Sequence, residues 1–84
     1  MALYRVTIRP SADKALQRLP VATQRRILAK LDELAVNPRP ADVKNLAGGE
    51  NLWRVRTGDY RAVYEIHDRE VFVVVLAIGH RREV

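Results

Sequence analysis

An α+β domain, with an antiparallel sheet covered on one face by a helical hairpin, is the fold the sequence predicts for these 84 residues. Three observations carry that expectation. Two helix-period segments lie together between residues 10 and 36, a strand-like run precedes them at 3–8, and three more follow at 52–57, 60–66 and 70–78. The order is β-α-α-β-β-β, in a single domain spanning 1–84.

The first strand, "LYRVTI", alternates Tyr4, Val6 and Ile8 against Leu3, Arg5 and Thr7, as a strand with one buried face should. Pro10 and Ser11 start a short helix, with Ser11 as the expected N-cap and Ala15, Leu16 and Leu19 as its apolar stripe. Pro20 interrupts, and its fixed φ suits the first turn of a second helix. That helix gathers Ile27, Leu28, Leu31, Leu34 and Ala35 on one face, with Arg25, Arg26, Lys30, Asp32 and Glu33 outside the stripe. "NPRP" at 37–40 ends it, because proline cannot donate and biases its predecessor away from helix. A loop through "GGEN" leads to the later strands, which "TGDY" (57–60) and "HDRE" (67–70) join as hairpin turns. The last run is apolar on both faces, which predicts an interior strand with cover on each side.

Nearly half the residues are hydrophobic, so a packed core is expected rather than disorder. There is no cysteine, which excludes a disulfide scaffold and a thiolate metal site and fits a reducing cytosol. The opening "MALYRVTIRP" carries charges at positions 5 and 9 and does not read as a signal peptide. The longest apolar run, "VFVVVLAI", is too short to span a bilayer. A soluble, cytoplasmic protein without membrane association is expected. Fifteen basic residues against ten acidic ones leave a formal charge of +5, and twelve of the fifteen are arginine. Arginine's planar fork of donors matches phosphate oxygens better than the point charge of lysine does, so a polyanion is the expected partner.

Alternation places those arginines. Trp53 and Val55 belong with the core, which turns Arg54 and Arg56 outward. In the next strand Tyr60, Ala62, Tyr64 and Ile66 make the core set, leaving Arg61, Val63 and Glu65 on the open side. The short turn sets Arg61 near Arg56. Like charges facing each other across a hairpin cost up to about 1 kcal/mol, so the arrangement does not serve stability. Glu65 and Glu70 are the carboxylates placed to neutralise it; otherwise it is an anion site. "GHRRE" at 79–83 adds Arg81 and Arg82 beyond the last strand, with Gly79 permitting close approach.

Cutting RNA without a metal requires a 2′-hydroxyl to attack the adjacent phosphorus, a base to take its proton, an acid for the leaving 5′-oxygen, and donors for the added negative charge. Arginine fills the last role and cannot be the base. The carboxylates are scattered without metal-ligand spacing, so no metal is expected. His80 is a candidate base, although cationic neighbours favour its neutral form. His67 is expected in a solvated turn, and Tyr60 and Tyr64 in the packing. Such a chain is better equipped to stabilise a transition state than to move protons, and gains from a partner that orients its substrate.

"LWRVRTGDYRAVYEI", the hydrophobic strand after it, "IGHRREV", and "VKNLAGG" upstream resemble the RelE/ParE superfamily of bacterial and archaeal type II toxins over nearly the whole chain. The resemblance implies the toxin of a toxin–antitoxin pair. In the RelE branch such a toxin enters the ribosomal A site and cleaves mRNA, acting as a metal-independent endoribonuclease without a cofactor. It implies that Arg54 and Arg56 position the substrate and help activate the 2′-oxygen, that Arg61 stabilises the phosphorane, and that Arg81 serves the phosphate or leaving group. Arg82, His80 and Lys44 are expected as further RNA contacts. The implied partners are a RelB-like antitoxin, the ribosome and mRNA. The tyrosine that many RelE-like toxins carry after the "RRE" segment has no counterpart in this sequence, so the general base is unassigned. A ParE-like gyrase inhibitor, with a less complete basic set, is the alternative, as is a catalytically weak relative that mainly binds its antitoxin.

Overall fold

The computed structural model describes residues 3–46 and 51–80. Seven elements follow one another: β1 (Arg5–Ile8), α1 (Pro10–Gln17), α2 (Val21–Val36), β2 (Lys44–Asn45), β3 (Trp53–Thr57), β4 (Tyr60–His67) and β5 (Phe72–His80). The strands form one sheet in the order β1-β5-β4-β3-β2. The α+β class and the helical hairpin are as the sequence predicts. One pairing is not: β1 runs parallel to β5, while β2, β3, β4 and β5 are antiparallel to their neighbours. Parallel pairing requires a long crossover, and both helices and three strands intervene between Ile8 and Phe72. The backbone N–H groups of Arg5 and Arg9 fasten the pair by donating to the carbonyls of Val71 (3.0 Å) and Val75 (2.9 Å).

Both helices contribute to one apolar layer. Ala12 and Leu16 of α1 and Ile27, Leu31 and Leu34 of α2 pack against Val55, Ala62, Tyr64, Ile66, Val73, Val75 and Ile78 of the sheet. Each aliphatic side chain of Val or Leu size buried there stabilises the fold by about 1.5–3 kcal/mol. Three sequence expectations shift. Arg9 rather than Ser11 is the N-cap of α1, because Pro10, with its preset φ, takes the first helical position. Pro20 caps α2 from outside it, and the helix begins at Val21. Leu28 stands 40% exposed, outside a contact stripe narrowed to Ile27, Leu31 and Leu34. The Gln24 amide joins the helices by donating to the carbonyls of Leu19 (2.8 Å) and Gln17 (3.2 Å).

The strand boundaries follow the turns. Thr57 pairs with Tyr60, so Gly58 and Asp59 form a two-residue turn. Gly58 has φ +61° and Asp59 does not share a positive φ, the pattern of a II′ turn with glycine first. The second turn is Asp68–Val71 rather than 67–70, and β5 starts two residues later than expected. Val71 has φ 58°, an uncomfortable backbone for a β-branched residue. It is held there by its carbonyl bond from Arg5.

Between Val63 and Tyr64 the β4–β5 register slips by one: Val63 pairs with Ala77, but Tyr64 pairs with Val75. Leu76 is the extra residue of a β-bulge. The bulge resets the phase of β5, so Val75 and Ile78 both face the core although they are three apart in sequence. Cover on both faces, expected from the apolar run, is therefore incomplete: Val74, Leu76 and Ala77 are half-buried on the side away from the helices.

At the other end of the sheet a clasp secures the segment after α2. The Arg39 guanidinium grips Asp68 with two bonds (2.8 and 3.2 Å), and the Tyr4 hydroxyl donates to the same carboxylate at 2.7 Å. Arg39 also lies 5.1 Å from the centroid of the Trp53 ring. The Arg39 guanidinium first, then the Tyr4 hydroxyl, holds the Asp68 carboxyl down at about 2. The buried Tyr64 hydroxyl donates to the Pro38 carbonyl at 2.7 Å.

Candidate nucleic-acid interface

The open face of the sheet collects the basic residues in two neighbouring rows. Lys44 on β2 faces Arg54 on β3, and Arg56 on β3 faces Arg61 on β4, with Gly79 on β5 beyond it. Directly paired residues project to the same side, with Cβ atoms about 5 Å apart. Arg54 and Arg56 are two residues apart and share that side. Four cations therefore meet on one patch: Arg54, Arg56 and Arg61, as alternation predicted, and Lys44 in addition. β2 was not foreseen: two residues without an apolar rhythm carry no strand signal, and the strand is what sets Lys44 beside Arg54.

Arg56 and Lys44 are exposed, whereas Arg54 and Arg61 are half-buried, with the Arg61 Nε shielded from solvent. A groove of about 250 Å³ runs between Asp42, Lys44, Arg54 and Arg56. Arg54 and Arg56 form no ion pair with any described residue. The two carboxylates expected to neutralise them are placed elsewhere. Glu65 meets His67 at 3.2 Å, and Glu70 lines a separate depression with Arg5, Thr7 and Val71.

His80 is not with the arginines. It is the last residue of β5, in the row next to Arg61 and Gly79, and pairs with Tyr60. Its ring meets that of Tyr60 edge to face, centroids 5.7 Å apart, beside Ala15, Arg18 and Leu19 of the helical layer. Arg81 and Arg82 lie outside the described residues. Among the tyrosines, Tyr64 is fully buried, and that burial raises its hydroxyl pKa well above the usual phenol range. It is a packing residue, as expected. The Asp68 bond is the main cause that raises the Tyr4 hydroxyl, at the far end of the sheet. His67 stacks on Phe72 with centroids 4.4 Å apart, so it is half-buried rather than solvated.

A small sheet with two helices on one face is an architecture shared with known toxins. The family described as the ParE toxin of type II toxin–antitoxin systems matches residues 6–84. A RelE-like toxin protein from Escherichia coli is 31% identical over 80 residues, covering 93% of this chain and 83% of the relative. The archaeal RelE–RelB complex of Pyrococcus horikoshii OT3 contains a chain that is 37% identical, with a TM-score of 0.85 over 98% of this chain and 99% of that one. The intact Escherichia coli RelBE toxin–antitoxin complex contains another, with 26% identity and a TM-score of 0.80 over 92% and 95%. The chain belongs to the ParE toxin family, within the RelE/ParE superfamily of type II toxins. Among the described residues no helix is long and apolar enough to cross a membrane.

Proposed function

We propose that this toxin is a ribosome-dependent endoribonuclease that cuts mRNA in the A site without a metal. The observation that carries the reading is the direct opposition of Arg56 and Arg61, with Lys44 and Arg54 in the adjoining row and no carboxylate pairing Arg54 or Arg56 among the described residues. Four cations on a solvent-facing sheet destabilise the free protein and gain by meeting phosphate.

In the reaction, the substrate's 2′-oxygen forms a bond to the adjacent phosphorus as the bond to the 5′-oxygen breaks. The products are a 2′,3′-cyclic phosphate and a 5′-hydroxyl. Arg54 and Arg56 hold the phosphodiester and favour the developing 2′-alkoxide. Arg61, less exposed and so less screened, meets the extra charge of the phosphorane, where a fixed donor contributes most. Arg81 is assigned to the phosphate or leaving oxygen, and Lys44 and Arg82 to flanking RNA; His80, turned to Tyr60 and the helical layer, is not assigned a contact on the arginine face. The proton lost by the 2′-oxygen is balanced by the one that the departing 5′-oxygen takes up, both exchanged with solvent water, since arginine cannot serve as the base. The ribosome's contribution is orientation, which by itself lowers the barrier of such an in-line step substantially. A RelB-like antitoxin is the proposed partner: the relatives of known structure include RelE–RelB complexes, and an acidic segment suits this basic face. The site of action is the cytoplasm.

Primer extension on a translated message after induction tests the proposal. Frame-dependent cuts that vanish with Arg61→Ala are expected. An intact message on translating ribosomes, together with undiminished growth arrest by Arg61→Ala, overturns it.

A second reading has one specific observation in its favour, the ParE description of the family that matches residues 6–84. On that reading the toxin inhibits DNA gyrase. Loss of supercoiling at stoichiometric toxin, with mRNA left whole, decides for it.

A further inference from the structure

The groove beside the arginines contains one residue of the wrong sign. Asp42 lines it together with Lys44, Arg54 and Arg56, and its side chain is 52% exposed. A carboxylate in that position competes with phosphate for the same guanidinium donors. It does not do so in this structure, since no ion pair joins Asp42 to Lys44, Arg54 or Arg56. Instead its Oδ2 lies 2.8 Å from Nζ of Lys30, which reaches it from α2.

The backbone around Asp42 is anchored. The Val43 amide donates to the Pro40 carbonyl at 3.1 Å, closing the turn, and two residues on Lys44 enters β2. With the backbone anchored, the freedom left to the carboxylate is rotation of the Asp42 side chain about its own torsions, which have several staggered wells. Lys30 is well placed to choose between them. Its side chain is only 19% exposed, it does not line the groove, and its other carboxylate, Glu33, is at the longer distance of 3.9 Å. The Lys30 bond holds the Asp42 carboxyl below the usual carboxylate range, so Asp42 is charged wherever the toxin works. An exposed ion pair adds little to folding, so the consequence of this one lies at the groove, where Lys44, Arg54 and Arg56 are its neighbours.

We propose that Lys30 is a positioning residue that ties the Asp42 carboxylate to α2 at the groove wall, off the guanidinium donors, and thereby leaves Arg54, Arg56 and Lys44 available to a ribonucleotide phosphate. This rests on the reading of the groove as an RNA site. Lys30 does not touch the substrate. Without it, Asp42 turns inward and occupies the phosphate position, so the same loop that borders the site closes it.

The experiment is a double-mutant cycle read by binding of a mixed-sequence single-stranded RNA oligonucleotide to the purified chain. Lys30→Met keeps the buried stem and removes the charge. It is expected to weaken binding by about fivefold, the change equivalent to one exposed ion pair. In an Asp42→Asn background the same Lys30→Met change is expected to alter binding less than about twofold, because no carboxylate remains to be held. Lys30→Arg retains native affinity. Thermal melting of each variant confirms the fold, and Lys30→Gln replaces Lys30→Met should the latter not fold. Equal losses in both backgrounds reduce Lys30 to a distant charge and overturn the inference while leaving the RNA groove intact. No effect in either background overturns it likewise. If the native chain binds no RNA, the groove reading falls, and this inference with it.

Discussion

Arg61 and Gly79 stand directly opposite each other on β4 and β5. The pairing exists because of the bulge at Leu76. Had the ladder continued from Tyr64–Val75 without the slip, Arg61 would face Ile78. The bulge turns Ile78 into the core instead and sets Gly79, which has no side chain, opposite Arg61. On the proposed reading Arg61, half-buried and opposite Arg56, is the cation that meets the most charge in the reaction.

Arg61→Ala is accordingly expected to lower the cleavage rate by about 10²–10³-fold, as the loss of one preorganised donor does elsewhere. The fold should survive the change, since Arg61 lies on the open face of the sheet and outside the apolar core. Single-turnover cleavage on programmed ribosomes, alongside a melting curve, checks both halves.

Lys44→Ala should behave differently. Lys44 lies at the outer end of the row, exposed, and provides charge rather than a shielded donor. RNA binding is expected to weaken evenly across sequences, and the slope of log K against log salt to fall by about one contact. Titrations at several salt concentrations measure the slope directly, and an unaltered slope rules Lys44 out as a phosphate contact.

The clasp at the opposite end predicts an acid-sensitive fold. Asp68 titrates at about 2 when folded, against 3.8 ordinarily. A folded carboxyl with a lowered pKa stabilises at pH above its unfolded value. That contribution is complete above about pH 5, and it fades as pH falls through 4 towards 2. The urea midpoint of the native chain should therefore drop more between pH 5 and pH 2 than that of Asp68→Asn, which has no such carboxyl to protonate. Parallel declines would show that the clasp contributes nothing.

Tyr64→Phe removes the one hydroxyl that meets the Pro38 carbonyl in the interior. A loss of about 1–2 kcal/mol in unfolding free energy is expected from denaturant titration. RNA cleavage should survive, because Tyr64 faces the core and its raised pKa disqualifies it as a base.

Val71→Gly tests strain. Valine at φ 58° bears a steric cost of about 1–2 kcal/mol that glycine escapes, set against the glycine's greater freedom when unfolded, about 0.5–1 kcal/mol. A small net stabilisation, seen as a higher urea midpoint, is the expected outcome.

Much of this was legible in residue order. The alternation of Trp53 and Val55 against Arg54 and Arg56 needs only the two-residue period of a strand, and it holds in the structure. So does the split of Tyr60, Ala62, Tyr64 and Ile66 from Arg61. The hairpin register followed from glycine at position 58, since a two-residue turn leaves one pairing that keeps both apolar sets inside. Apolar period likewise marked both helices, although Pro10 rather than Ser11 set the start of α1 and Pro20 fell just outside α2.

By itself, then, the sequence determined which side chains belong to which face of each element, because that depends on local backbone geometry alone. Tertiary structure decided what those faces meet. The parallel seating of β1 on β5, the slip at Leu76 that gives Arg61 a glycine neighbour, and the strand that brings Lys44 to Arg54 all depend on contacts between distant segments. So does the departure of His80 towards Tyr60. Their energies come from packing and pairing across the chain, for which no local periodicity leaves a mark.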